Sequence, residues 1–172
     1  GICIKVKLMI ERRNDVDWRR TGALTPICNQ GSECGCCWAF ASVATAEAIY
    51  FIRRGVLISL FAQELIDCCG KEGCRGGSTY KVFSHMMKHN IASAVDYPYK
   101  GVESPCQEMT RKAISIDSFG YVPKNNELAL EKAVRRQPVY VGIAMGKAFM
   151  DYKGGIFEED CMGKQTWWNW IR

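Results

Sequence analysis

From Cys37 to Arg54 the chain carries no glycine or proline, alanine recurs, and apolar residues fall on most faces of a helical wheel. A helix that is apolar nearly all round belongs in the middle of a core. Gly55 is its natural C-terminal stop, because glycine enters the left-handed conformation without a Cβ penalty. Two shorter helical segments follow, Ala62–Cys69 and Ser78–His89, joined by a loop that holds Gly73, Gly76 and Gly77. Ahead of them, Asp17–Pro26 reads as an extended lead-in with a turn near Gly22.

Beyond Cys106 the period changes. Residues Ala113–Val122 alternate apolar and polar side chains, which predicts a strand. Asn126 then caps an amphipathic helix running to about Arg136; Pro138 ends it, and Val139–Ile143 predicts a second strand. Helices followed by strands indicate an α+β architecture. The expected division is an unassigned lead-in over 1–14, a helical domain over 15–118, a partial β domain over 119–166 and a tail over 167–172. There are no internal repeats and no low-complexity linker.

A chain of 172 residues with 48% hydrophobic and 24% charged positions can bury a core as one domain or two small ones. The net charge of +5 is dispersed through pairs such as Arg12-Arg13, Arg19-Arg20, Arg53-Arg54 and Arg135-Arg136. Such pairs are solvated faces rather than a phosphate-binding stripe, so no nucleic-acid partner is expected. No apolar run approaches the ~18 residues of a membrane span, so no membrane partner is expected either. The chain opens at Gly1 rather than Met, which reads as the cut end of something longer. Lys5 and Lys7 interrupt it too often for a signal core, and no small-residue cleavage site follows.

Ten cysteines change the picture: Cys3, Cys28, Cys34, Cys36, Cys37, Cys68, Cys69, Cys74, Cys106 and Cys161. That usage points to an oxidising compartment, a metal site, or both. The stretch Gln30–Phe40 is the most specific. It sets Cys37 at the mouth of the alanine-rich helix, a short loop after a glutamine. Thiolate is the nucleophilic form of cysteine, and a helix N-terminus favours negative charge. The loop therefore reads as half of a cysteine protease active site.

Matching stretches extend well beyond that loop. They are Val16-Asp17-Trp18-Arg19, Asn29-Gln30-Gly31-Ser32, Cys34-Gly35-Cys36-Cys37-Trp38-Ala39-Phe40, Gln63-Glu64-Leu65-Ile66-Asp67-Cys68, Gly73-Cys74-Arg75-Gly76-Gly77, Tyr97-Pro98-Tyr99, Gln137-Pro138-Val139 and Tyr152-Lys153-Gly154-Gly155-Ile156-Phe157. In this order they resemble a papain-like cysteine protease, most closely the plant members of that family. The resemblance implies a two-domain fold, a helical N-terminal domain beside an antiparallel β-barrel domain that is incomplete here.

It also implies roles. Cys37 would be the nucleophile. Gln30 would donate its side-chain amide to an oxyanion hole beside the Cys37 backbone N–H. Gly76 and Gly77 would pair with the backbone of an extended substrate, with Ser78, Thr79 and Tyr80 bordering the pocket for its hydrophobic side chain. Cys34–Cys74 and Cys68–Cys106 would be disulfides, and Cys36 would be unpaired. The implied partners are a polypeptide substrate or a cystatin-like inhibitor, for a monomer of the vacuole, lysosome or secreted space. No cofactor or metal is implied.

The sequence departs from the pattern near its end. Histidine serves such an enzyme as base and acid, and the family carries it with an orienting asparagine ~130–150 residues after the nucleophile. Here that region reads Thr166-Trp167-Trp168-Asn169, and Asn169 lacks the family's Asn-Ser-Trp-Gly context. The tail 167–172 resembles nothing in the family, and the strands that close the β domain and the partner of Cys161 are missing. The only histidines, His85 and His89, share one helix face at i, i+4 with no third metal ligand, and read as surface or packing residues. Glu33 is a one-residue insertion between Gln30 and Cys37, placed to push the Gln30 amide out of line, and Phe61-Ala62 replaces a polar pair.

The expectation is a papain-type endopeptidase homologue that is inactive as it stands. Its alternative is a pseudoprotease or gene-model fragment that at most binds peptides or inhibitors. Two further readings rest on the cysteines alone: a C-x-x-C redox pair within Cys34–Cys37, or zinc held by Cys34, Cys37, Cys69 and Cys74. Neither explains the matches elsewhere.

Overall fold

The computed structural model describes residues 16–69, 73–110, 113–142, 151 and 153, and the backbone of 168–171. Helix α1 spans Cys37–Arg54 and ends at Gly55, whose φ of 72° and N–H to Phe51 O close its last turn. Its alanine content lets neighbours approach closely: Trp38, Ala39, Val43, Ala46 and Ile49 are all buried. Helices α2, Gln63–Cys68, and α3, Thr79–Lys88, pack against it. Leu65, Ile66, Val82, Phe83 and Met86 interlock with the α1 residues in one hydrophobic cluster.

The β region is smaller than its alternation predicts. Within 113–122, Ile114 makes an isolated antiparallel bridge to Ile91, and only β1, Phe119–Tyr121, is strand. Ile114 and Ile116 are buried in the helical cluster, so their alternation records burial there and not a place in the sheet. Helix α4 covers Glu127–Val134, shorter than expected, and Asn126 caps it by accepting a 2.9 Å bond from the Ala129 N–H. Strand β2 is Tyr140–Val141, and β3 is Trp168–Ile171.

The sheet order is β1-β3-β2, antiparallel throughout. Phe119 is paired with Ile171 and Tyr121 with Asn169 on one side, and Tyr140 with Asn169 and Val141 with Trp168 on the other. The segment set apart above as a foreign tail thus supplies the central strand. Aromatic pairs join the sheet to α3, with Phe83 tilted against Phe119 at 5.5 Å and edge-on to Tyr140 at 6.1 Å. Such pairs are worth about 0.5–1.5 kcal/mol each beyond their area. The lead-in also crosses to this side, where Trp18 Nε1 donates to Val134 O at 2.8 Å. Among the described residues no helix is long and apolar enough to cross a membrane.

Disulfides Cys34–Cys74 and Cys68–Cys106 close loops of 40 and 38 residues in the helical unit. In the chain-entropy account each contributes roughly 4 kcal/mol. Buried polar side chains fasten the loops between the helices. Gln63 donates to Asp67 Oδ1 and Val102 O and accepts from the Lys100 N–H. Glu64 accepts from the Ala92 N–H, and Glu47 takes the Thr25 hydroxyl and the Leu60 N–H on its two oxygens.

Two outcomes are expected. Burial raises the Glu47 carboxyl above its ordinary 4.5, so the folded chain holds that proton more tightly than the unfolded one. The associated stability is complete below 4.5 and declines as pH rises through the elevated value. Urea midpoints of wild type relative to Glu47→Gln should therefore fall between pH 4 and pH 7; a flat or rising difference contradicts the assignment. At Gly77 an added Cβ would enter the Trp38 indole. Gly77→Ala should lose about 1–3 kcal/mol in chemical denaturation, the usual cost of overpacking, and an unchanged midpoint would refute that close approach.

Candidate active site

The loop before α1 is held at both ends. Asn29 Oδ1 accepts the Gly31 N–H at 2.8 Å, in a tight turn that Gly31 permits with a φ of 77°. At the far end Cys34 is bonded to Cys74, and the next residue, Gly35, donates its N–H to Cys74 O at 2.7 Å. A Cβ on Gly35 would stand 2.9 Å from that carbonyl, so the backbones meet only because the residue is glycine. Glu33 sits at the exposed bend between these anchors, where it accepts from the Ser32 hydroxyl.

Three consecutive residues then take different environments. Cys36 is fully buried and its carbonyl accepts from the N–H groups of Ala39 and Phe40. Trp38 is buried too, with Nε1 donating to Gly73 O at 3.3 Å. Between them Cys37, the first residue of α1, is exposed. Its flanks are locked inside the protein, and its thiol is delivered to the surface by the helical turn.

That thiol opens on a cleft of about 440 Å³ lined by Ile27, Cys28, Asn29, Gln30, Cys37 and Phe40. Cys37 and Gln30 therefore share one cleft. The Gln30 Oε1 is buried without a hydrogen-bond partner among the described residues, so that end of the amide is not spent on holding the loop. Gly76 and Gly77 are not in the cleft lining; Gly77 lies against Trp38, the residue after Cys37. Gly76 has a φ of 120°, a conformation that favours glycine, with open space where a side chain would be. Ser78 precedes α3, the Thr79 side chain hydrogen-bonds Tyr140, and Tyr80 is exposed with its ring 5.7 Å from Phe119.

The remaining cysteines divide by burial. Cys28 is exposed and Cys69 half-buried. Burial, reinforced by the neighbouring Glu64 charge, pushes the Cys69 thiol up to about 12, and burial raises Cys36 as well. Cys3 and Cys161 lie outside the described residues. Because Cys34 and Cys74 are bonded to each other, neither a Cys34–Cys37 redox pair nor a zinc set of Cys34, Cys37, Cys69 and Cys74 has its ligands free. Among the described residues no group of three or more His, Cys, Asp or Glu side chains is placed to hold a metal. The rings of His85, on α3, and His89, at its C-cap, lie 4.8 Å apart and do not line the cleft.

Tyr99 carries a part that the sequence does not announce. Its hydroxyl donates to Gln30 O at 2.6 Å and lies 3.2 Å from Cys36 Sγ. The Tyr97-Pro98-Tyr99 match marks the segment but assigns it no task, since these contacts span 69 and 63 residues. Phe40 and Cys28 likewise enter the site only through the fold.

Residues 13–169 match the model of the papain family cysteine proteases, reaching three residues into the tail. The chain is 46% identical over 151 residues to the senescence-specific cysteine protease SAG12 of Arabidopsis thaliana, covering 85% of this chain and 43% of that protein. It is 43% identical over 152 residues to zingipain-1 of Zingiber officinale, covering 86% and 68%. Among solved structures, the Carica candamarcensis cysteine protease CMS1MS2 in complex with E-64 superposes with a TM-score of 0.80 at 42% identity, over 87% of this chain and 72% of that one. The bromelain protease of Ananas comosus in complex with the same inhibitor gives 0.78 at 38%, over 83% and 66%. The chain spans less than half the length of the first curated relatives it matches, and it belongs to the papain family of cysteine proteases.

Proposed function

We propose that this chain carries the nucleophile half of a papain-type endopeptidase site, with Cys37 as the nucleophile and Gln30 as the oxyanion donor. The observation that carries the reading is the exposure of Cys37 at the start of α1, on a cleft it shares with Gln30. In the reaction, Cys37 Sγ would attack the carbonyl carbon of a peptide bond, forming S–C as the carbonyl oxygen gathers negative charge. Donors aimed at that oxygen are worth roughly 2.7–4 kcal/mol each. The Gly76–Gly77 backbone would lie along an extended polypeptide, glycine leaving room for a second main chain. The family relationship and the solved relatives in complex with E-64 support a polypeptide substrate or an inhibitor as the ligand; in this reading the inhibitor is cystatin-like and the chain is a monomer. The disulfides support the vacuole, lysosome or secreted space of such proteins as the place of action.

One observation favours a second reading, a module that binds peptides without cleaving them. Proton transfer to the departing amine needs a group poised near neutral pH. The sequence has His85 and His89 as its only histidines, one on α3 and the other capping its C-terminus, both away from the cleft lining.

Both readings meet in one set of measurements on the 172-residue chain. Intact-mass spectrometry after incubation with E-64 should show one added inhibitor, lost in Cys37→Ala. No labelling of the wild type would reject Cys37 as the nucleophile. Brief iodoacetamide treatment should modify Cys37 and Cys28 while sparing Cys36 and Cys69; uniform labelling would contradict the burial pattern. Hydrolysis of a fluorogenic peptide by the chain alone should stay below detection. Turnover abolished by Cys37→Ala would discard the binding-module reading and establish a complete catalyst.

A further inference from the structure

We propose that Tyr99 is a positioning residue for the oxyanion donor, holding the Gln30 loop against the first turn of α1 through a Cys36 thiol–Tyr99 hydroxyl–Gln30 carbonyl chain. The inference rests on the reading of Cys37 and Gln30 given above.

The direction of the chain follows from counting protons. A phenol has one O–H and can accept through its oxygen, whereas a backbone carbonyl only accepts. At 2.6 Å from Gln30 O, the Tyr99 proton is committed to that carbonyl. The 3.2 Å contact with Cys36 Sγ then requires the thiol to donate S–H to the phenol oxygen. Burial keeps both groups protonated. It raises the Cys36 thiol, and it raises the Tyr99 hydroxyl, with the adjacent Cys36 adding to the effect.

Each end of the chain is fixed to a part of the site. Cys36 is the N-cap of α1, its carbonyl bonded to Ala39 and Phe40, and it immediately precedes Cys37. Phe40, which lines the cleft, meets the Tyr99 ring edge-on at 5.0 Å. Tyr99 is held from behind, because the next residue, Lys100, donates its N–H to the buried Gln63. Among the described residues, Tyr99 is the hydrogen-bond partner of the Gln30 backbone. The distance between nucleophile and donor is thus set across three residues, and a displacement of about 1 Å in such a pair can cost 10²-fold in rate.

Two probes of Cys37 separate positioning from general stability. With iodoacetamide the sulfur forms an S–C bond and iodide leaves, with no oxyanion. With a peptidyl aldehyde the thiol adds to the carbonyl carbon, the C=O bond becomes C–O, and the thiol proton passes to that oxygen, so the adduct draws on the oxyanion donor. Gln30→Ala and Tyr99→Phe should each weaken aldehyde binding about three- to tenfold, the loss of one hydrogen bond, while the iodoacetamide rate changes less than about twofold. Cys36→Ser, which keeps a donor, should bind the aldehyde as wild type does, and Cys36→Ala should weaken it as Tyr99→Phe does.

If Gln30→Ala weakens the aldehyde and Tyr99→Phe does not, the positioning inference fails and the reading of the site stands. If neither the wild type nor any variant binds the aldehyde, or Gln30→Ala is without effect, the oxyanion reading fails and takes the inference with it. Equal losses with both probes in Tyr99→Phe and in Cys36→Ala would mean a merely structural contact and also overturn the inference.

Discussion

The staple between the loop 30–36 and the turn at Gly73–Arg75 is the constraint on which the rest of the site depends. The Cys34–Cys74 bond and the Gly35 N–H to Cys74 O bond act over two adjacent residues. Together they fix where α1 begins and which way its first turn faces. Trp38 extends the same seam, with its indole bonded to Gly73 O and its face against Gly77. A shift of one residue in that start would bury the Cys37 thiol and expose either Cys36 or Trp38. The exposure of one thiol in a row of two is therefore a consequence of the staple, and local helix propensity contributes little to it.

Polar groups inside the helical unit extend this rigidity. Gln63, Glu64 and Asp67 occupy one short helix, and the first two are fully buried. Their bonds run to backbone groups of Ala92, Lys100, Val102 and Ser104, so a single turn of helix fastens the long segment from 92 to 104. Tyr97 completes the arrangement by donating to Asp67 and accepting from the Gln107 N–H, next to the Cys68–Cys106 disulfide. An unsatisfied buried group costs about 1–3 kcal/mol, so these residues hold the segment in one register. Tyr99 inherits its fixed position from that segment.

What the sequence made legible follows the range of the interactions. Helix α1 was readable to the residue, because the alanine run and Gly55 are local determinants. The Asn126 cap was readable for the same reason. The cysteine and glutamine of the cleft stand in a motif specific enough to name a family. The strands were readable only in part: β2 falls within the predicted Val139–Ile143, β1 is only the end of the predicted Ala113–Val122, and β3 was not foreseen. Ile114 and Ile116 alternate with polar neighbours yet point into a helical core, and β1 and β2 exist through pairing with β3. The place of Trp168–Ile171 in the sheet is set by partners 27 to 52 residues distant, as for Val141↔Trp168 and Phe119↔Ile171. Tyr99 is the same case in the site, since a hydroxyl that reaches across 69 residues leaves no local trace.

The parts proposed for nucleophile and oxyanion lie within residues 30–99, and the bonds that hold them are internal to the helical unit. The sheet packs on α1 and, through aromatic contacts, on α3, but its strands do not enter the staple or the Tyr99 chain. Forming a reactive thiol beside an oxyanion donor and transferring protons during turnover are thus separable tasks in this architecture. The disulfide and hydrogen bonds that serve the first task all lie on the helical side, while the sheet packs against α1. On the proposed reading, a chain of this kind captures a carbonyl electrophile whether or not it can release a product.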